Sequence, residues 1–275
     1  MRFMSFVAVC GLGMGVLASN CSAGIIHVRV TAENLAKPNG IAFAPLRVGF
    51  NSGNFDAFDN GTAATAPIIS IAEGGSGSDW FPAFSLADPT ATLGTVISSP
   101  PGPLLPGNVA SAVFAVDNQL NRYFTFAAMV VPSNDNFIGN DSPTKFELFD
   151  AAGNLLINTI TQFGRDIWDA GSETTVKENA AFLVGGINDN RVDENGVVTF
   201  DFSGLTDFDG LQTAAGYFLD SQLTRGSEVY RISFTVVPEP SSLVLVILGG
   251  LGLAAVAIRR RLAKNWIASC SLNRC

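Results

Sequence analysis

The sequence predicts an all-β protein, an antiparallel β-sandwich followed by one apolar C-terminal helix. Three observations predict it. Short apolar or alternating segments recur through residues 25–237, separated by Gly, Pro, Asn and Asp. Helical periodicity is scarce over the same stretch. The four cysteines, Cys10, Cys21, Cys270 and Cys275, all lie outside it, and 47% of the chain is apolar, so this body must be held by a hydrophobic core rather than by disulfides. Its size suits one domain with one sizeable core.

The elements follow in order. Ile25–Glu33 (IIHVRVTAE) alternates apolar and polar residues, the signature of a half-buried strand. Leu46–Phe50 is a short apolar piece, and Ala64–Glu73 is the best candidate for a short helix. Ser98–Gly107 (SSPPGPLLPG) can only be a rigid loop. Val109–Val116 and Tyr123–Val131 (YFTFAAMVV) are continuous enough to be buried strands. Phe146–Phe149 and Leu155–Ile160 flank Asp150–Asn154, a hairpin turn. Val197–Phe202 (VVTFDF) follows the turn pair Asn195-Gly196, and Val229–Val236 is the last strand. Many short strands with regular turns make a sandwich.

The two ends read differently from the body. Residues 1–24 carry Arg2, an apolar run from Phe3 to Ala18, and the small residues Ser22, Ala23 and Gly24, the pattern of a secretory signal peptide cleaved after Ala23 or Gly24. Near the other end, Pro238-Glu239-Pro240 leads into 18 residues without a charge (SSLVLVILGGLGLAAVAI), then Arg259, Arg260 and Arg261. That length is about the minimum for a bilayer-spanning helix. Arginines beyond it predict a cytoplasmic C-terminus, with the body on the far side of the membrane. Both ends agree on export. The stretch 238–261 closely resembles the PEP-CTERM sorting signal, which joins a Pro-Glu-Pro motif, one apolar helix and a basic cluster. The resemblance implies processing by an exosortase near Pro238, Glu239 and Pro240, transient or lasting membrane attachment, and delivery to the cell surface or exopolysaccharide matrix of a bacterium. Residues 262–275 form a tail with no assigned role.

The whole chain has net charge −8. Setting aside Arg2, Arg259, Arg260, Arg261, Lys264 and Arg274 from the 16 Lys+Arg, and Glu239 from the 24 Asp+Glu, leaves 10 against 23, or −13, for residues 25–237. Such a surface excludes nucleic-acid binding through a basic footprint. Catalytic constellations are equally scarce. His27 is the sole histidine and sits in the first strand. No Gly-x-Ser-x-Gly, phosphate loop or His-Glu-x-x-His occurs, and Gly74–Ser78 (GGSGS) lacks a phosphate-binding lysine. Carboxylates abound, but no spacing marks two of them as a facing glycosidase pair. A non-enzymatic protein is expected; a polysaccharide hydrolase using an Asp/Glu pair, or a purely structural matrix protein, are the alternatives.

The acidic loops carry more information. Pro132–Asp141 (PSNDNFIGND), Asp166–Glu173 (DIWDAGSE) and Asn188–Gly196 (NDNRVDENG) offer the carboxylate and carbonyl oxygens that a hard cation takes, six to eight at a time. None has EF-hand spacing, so a site would be assembled from separate loops. In the third, Asn195-Gly196 already accounts for the composition as a turn.

VRVTAENL (28–35), AMVVPSNDNFIGN (128–140) and WDAGSE (168–173) together resemble the spondin N-terminal domain, and the resemblance runs from about Ile25 to Val236. It implies a β-sandwich like that of calcium-dependent lipid-binding domains, with Ca2+ at one end. Matched by motif, Asp135 and Asp169 are the first ligand candidates and Glu173 the next. Asp141 and Glu73 follow, on matched segments alone. Phe137 and Trp168, beside these ligands, are expected to be core residues that fix the loops. The implied function is an exported adhesion or binding module, with extracellular polysaccharide or surface protein as partner.

Overall fold

A computed structural model describes residues 24–238, 249–256 and 258–259. The elements of the body, in chain order, are β1 (Ile25–Asn34), β2 (Ala42–Phe43), β3 (Leu46–Asn51), α1 (Ala66–Ala72), α2 (Trp80–Ala87), β4 (Thr92–Val96), β5 (Val109–Asp117), β6 (Tyr123–Val131), β7 (Asn136–Gly139), β8 (Thr159–Phe163), β9 (Ile167–Asp169) and β10 (Glu228–Val237). Strands dominate and every strand pair is antiparallel. One sheet has the order β5-β1-β10-β8; the other runs β4-β3-β6-β7-β9, with β2 beside β6.

The alternation in Ile25–Glu33 does what period-2 patterning requires. Val28, Val30 and Ala32 turn inward, and Arg29, Thr31 and Glu33 face away. In register with β1, β10 contributes Tyr230, Ile232 and Phe234 to the same core. The facing sheet answers with Val48 and Phe50 from β3 and Phe124, Phe126 and Val130 from β6. Aromatic rings lock the sheets together: Phe43 on Tyr230 at 4.5 Å, Phe124 on Phe234 at 4.8 Å and Phe50 on Phe114 at 5.6 Å between centroids.

The second sheet is also covered on its other face. Ala127, Phe137 and Trp168 point away from the sandwich core and pack under α1, α2 and the segment 55–58. Phe55 stacks on Phe84 at 4.1 Å, and Phe58 meets Trp168 and Phe137 at 5.1 Å each. This explains why β6 reads as a nearly unbroken apolar run: it is buried on both faces. Gly49 in β3 is what lets α2 approach so closely, since a Cβ there would lie 2.4 Å from Phe84 Cε1. Phe137 and Trp168 are core residues as expected, both fully buried.

Several expectations need correction. Val109–Val116 is not a buried strand. As β5 it is a sheet edge with Val109 and Val113 exposed and Ala110, Ala112, Phe114 and Val116 turned inward, Ala112 only partly buried. The turn at Asp150–Asn154 forms, with Asp150 Oδ1 accepting from Ala152 N and Asn154 N at 2.8 Å each. Its flanks, however, pair only through single bridges, and β8 starts at Thr159. Val197–Phe202 is not a strand; only Thr199 bridges to Asp169. The helix at Ala64–Glu73 is present as α1, but α2 was not expected. Its eight residues are too short to show a 3.6-residue period, and Pro82 in its first turn looks like a breaker although that position tolerates proline.

The expected signal peptide lies outside the described residues, apart from Gly24. So do Glu239, Pro240, Arg260 and Arg261 and the tail 262–275. Pro238 and Arg259 are described and Arg259 is helical, as are 249–256 and 258. Among the described residues no helix is long and apolar enough to cross a membrane.

Candidate functional site: an acidic loop cluster around Arg191

Where β6 leaves the sheet, residues 131–140, a short loop running into β7, stay buried throughout, an unusual state for a loop end that carries Ser, Asn and Asp. Burial is tolerable only because the polar groups are satisfied one by one. Ser133 Oγ donates to Val130 O at 2.5 Å, and Asn136 Nδ2 donates to Trp168 O at 3.3 Å and Asp201 O at 3.1 Å. Asp135 Oδ2 accepts from the backbone N–H of Ser172 at 2.8 Å and of Glu173 at 3.0 Å. The carboxylate of the first acidic loop thus folds the second.

That second loop turns at Gly171. Asp169 Oδ1 accepts from Gly171 N at 2.8 Å, and Gly171 has φ +62°, a left-handed conformation that favours glycine. A Cβ at Gly171 would also lie 2.7 Å from Val197 N and 2.9 Å from Gly196 C. The third loop therefore packs directly on this glycine, with Gly196 N donating to Gly171 O at 2.8 Å and Glu194 N to Ser172 O at 2.9 Å. Asn188–Gly196 is more than the turn its composition suggested. It packs on the second loop, with Thr174 N also donating to Val192 O at 2.9 Å, and delivers Arg191.

Arg191 Nε stands 3.1 Å from Glu73 Oε2 and 3.9 Å from Glu173 Oε2. Glu73 reaches this point from the C-terminal end of α1, and Asn188 Nδ2 donates to its backbone carbonyl at 3.0 Å. Asn134 Nδ2 serves Glu173 Oε1 at 3.0 Å and Asn179 Oδ1 at 2.9 Å, while Asn134 Oδ1 accepts from Val176 N at 3.1 Å. Glu173 Oε2, on a side chain with no exposed surface, has no hydrogen-bond partner among the described residues.

The electrostatics follow from crowding acids in a poorly hydrated place. Burial, then the neighbouring charge of Asp135, pushes the Asp169 carboxyl up to about 7. Burial, with Glu73 adding to it and Asn134 and Arg191 opposing, pushes Glu173 up to about 7. Burial also raises Asp135, against the hydrogen bonds from Glu173 and Ser172. The cluster gathers four carboxyl groups and one guanidinium, and burial favours the neutral form of three of the four.

Of the five sequence-predicted ligands, the structure brings together Asp135, Asp169, Glu173 and Glu73. Asp141 is not with them. It pairs with Lys145 at 3.6 Å and lies beside Asp56, whose carboxyl is raised by burial and then by Asp59 and Asp141. β7 separates Asp141 from Asp135, and four extended residues span about 13 Å. Among the described residues, no three His, Cys, Asp or Glu side chains are gathered tightly enough to hold a metal ion as they stand. Sequence reasoning passed over Arg191 and Asn134. A single arginine inside an otherwise acidic and amide-rich loop was the available signal for the first.

Two open clefts flank the cluster. One of about 320 Å3 is lined by Ser70, Ser76, Ser78, Asp79 and Arg191, and one of about 250 Å3 by Ile69, Gly171, Ser172 and Glu194. His27 sits elsewhere, in β1 opposite Ala115 and Val237.

No curated protein matches this chain. Residues 236–261 match the family described as the PEP-CTERM protein-sorting motif, and the match takes in Pro238–Pro240 and Arg259–Arg261. The β body lies almost wholly outside that match. The motif indicates export and sorting to the surface, with an exosortase as the processing partner, and it is what this chain shares with a known family.

Proposed function

We propose that the β body is a non-enzymatic, calcium-stabilised surface module of the spondin N-terminal kind, which the C-terminal motif sorts to the cell surface or matrix to bind extracellular polysaccharide or surface protein. The observation that carries the calcium reading is Glu173 Oε2, a buried carboxylate oxygen without a hydrogen-bond partner among the described residues, with Glu73 and Asp135 near it and Asp169 beside Asp135. A buried anionic oxygen whose guanidinium partner stands 3.9 Å away, too far to hydrogen-bond, is costly unless a closer cation meets it. The donor set is all oxygen, as a hard cation requires, and it comes from two loops and a helix end that no disulfide ties together. Calcium, when bound, supplies positive charge and multiple oxygen coordination to this cluster. Asp169, Glu173 and Asp135 would hold it, Asp135 being the one that also accepts from the Ser172 and Glu173 backbone. Glu73 would join from α1. Fixing these loops fixes the surface around the two clefts, which is where a ligand would bear.

Calorimetry with the purified exported protein tests this. Saturable calcium binding that is lost in Asp169→Asn and in Glu173→Gln is expected. Absence of binding at millimolar calcium, the weak end of extracellular sites at roughly 1 mM, would overturn it. The same two carboxylates favour one other reading, a hydrolase of matrix polysaccharide, because groups that ionise near neutrality suit general acid–base work. Oligosaccharide cleavage abolished by either substitution would identify that activity; calcium binding without turnover would set it aside.

A further inference from the structure

We infer that, until its C-terminal segment is cut, the body stands on a lipid surface with one end of the sandwich down, the end that carries Ile25, Leu120, Leu156 and Val236, and with the acidic loop cluster pointing away from the membrane. The inference rests on the sorting motif and on the apolar run after Pro240 as the membrane-held segment; it adds the surface of the body that meets the lipid.

The register fixes which end that is. β1 and β10 pair with His27 opposite Val237, so the chain enters and leaves the body side by side. Each point borders an apolar stretch, Phe3–Ala18 before β1 and Leu243–Ile258 after β10. Aromatic contacts carry the direction across to the second sheet. Phe124, at the start of β6, meets Phe234 near the end of β10. Phe43, opposite Val130 near the end of β6, meets Tyr230 near the start of β10. The acidic loops follow the end of β6, with Asp169 opposite Asn136. They therefore occupy the far end, about 27 Å from the exit along β6.

Reach decides between the two ends. Val237 and Leu243, the first apolar residue after the Pro-Glu-Pro motif, are six residue steps apart, at most about 22 Å. β10, with its ten residues, is about 33 Å long. The tether is too short to run back along the strand, so the far end cannot be set down on the surface.

The exit end also presents the side chains that lipid accepts. Ile25 lies opposite Asp117, and Leu120 stands in the turn that follows, where Asp117 Oδ1 accepts from its N–H at 3.1 Å. Asn118 Nδ2 donates to Gly153 O at 2.8 Å, and Phe234 N donates to Asn158 O at 2.9 Å, which places Leu156 between this turn and β10. Val236 keeps the core-facing register of Ile232 and Phe234 but lies past the core. All four side chains are about half exposed or more. Lying down on the outer face of the first sheet would instead press Arg29 and the Arg231–Glu33 pair into the surface.

Leu120→Cys, Val113→Cys and Val184→Cys test this, each in the full unprocessed chain with Cys10, Cys21, Cys270 and Cys275 replaced by serine. Leu120 marks the exit end, and Val113 the outer face of the first sheet, opposite Arg29. Val184 marks the far end, three residues beyond the bridge between Ala181 and Ser133. All three side chains are exposed, so the fold tolerates the change. Each cysteine takes a fluorophore, and the chain is reconstituted in phosphatidylethanolamine–phosphatidylglycerol vesicles whose headgroups carry a quenching spin label. Loss of most of the emission is expected from Leu120→Cys, a small loss from Val113→Cys and none from Val184→Cys. Quenching that is strongest at Val113→Cys, equal at all three or absent from all three overturns the inference. So does a label at Leu120→Cys that lipid leaves bright but that is shielded from aqueous iodide, the mark of a protein contact. Release of the chain from the vesicles by alkaline carbonate overturns the membrane-held reading of the apolar run itself.

Discussion

Between the two sheets Phe124 is buried against Phe50, Phe126 and Phe234 with nothing polar to satisfy, while at the loop end Ser133, Asn134, Asp135, Asn136 and Glu173 are buried just as deeply and each depends on named hydrogen bonds. The first region is held by non-directional burial of apolar area, which tolerates small shifts. The second is held by directional contacts, and one missing partner leaves a cost with no compensation. The core therefore sets how stable the body is, and the loop end sets how that stability depends on pH.

The largest effect should come from the core. Phe124→Ala is expected to lower unfolding free energy by about 3–5 kcal/mol, measured by chemical denaturation, with calcium binding intact in the molecules that remain folded. A loss of calcium binding in those molecules would show that the two regions are not separable.

Gly171→Ala comes next. A Cβ there meets Val197 N and Gly196 C below 3 Å on a backbone at φ +62°, so the third loop must lift. A cost of about 1–3 kcal/mol is expected, together with weaker calcium binding. Stability lost without any change in binding would place the loop contact outside the site.

A smaller effect is expected from pH, and its sign separates the site from the rest of the body. Asp169 and Glu173 are raised to about 7 in the folded protein, so without divalent cation the folded state holds more protons than the unfolded one between their ordinary carboxylate values and 7. Their contribution to stability is therefore greatest below that window and is lost as pH rises through it. Asp88 has the opposite sign. Burial alone would raise it, but hydrogen bonds from Ser52 and Thr90 outweigh burial and lower it, so its contribution is present above the ordinary carboxylate value and fades as pH falls below it. Melting temperatures in chelator should fall from about pH 4 to 7, and Asp169→Asn or saturating calcium should flatten that fall. A flat wild-type profile in chelator would mean that the acids are already balanced.

The smallest effect is at the excluded candidate. Asp141→Asn breaks only the half-exposed pair with Lys145, worth about 0–1 kcal/mol, and should leave calcium affinity unchanged. A clear loss of affinity would return Asp141 to the site.

Local pattern made β1, β10 and the Asp150–Asn154 turn legible, because period-2 alternation and turn-forming side chains act within a few residues. It also placed Asp135 and Glu173 in loops, though Asp169 ends strand β9, and it put the Pro-Glu-Pro, apolar and arginine succession in order at the C-terminus. It misjudged Val109–Val116, since an apolar strand at a sheet edge and one at its centre share a composition and differ only in neighbours. It missed α2, whose register depends on Phe84 fitting over Gly49.

What the sequence determined by itself is therefore the β class, the acidity of the body and the sorting motif, each a property of residues close together in the chain. Only the tertiary structure decided that Glu73 of a helix end, Asp135, Glu173 and Arg191 share one place while Asp141 does not. The reason is physical: strand direction sends Asp135 and Asp141 to opposite ends of β7, and a charge cluster forms wherever chain reversal brings separate loops within a few ångströms, a distance that sequence separation does not encode.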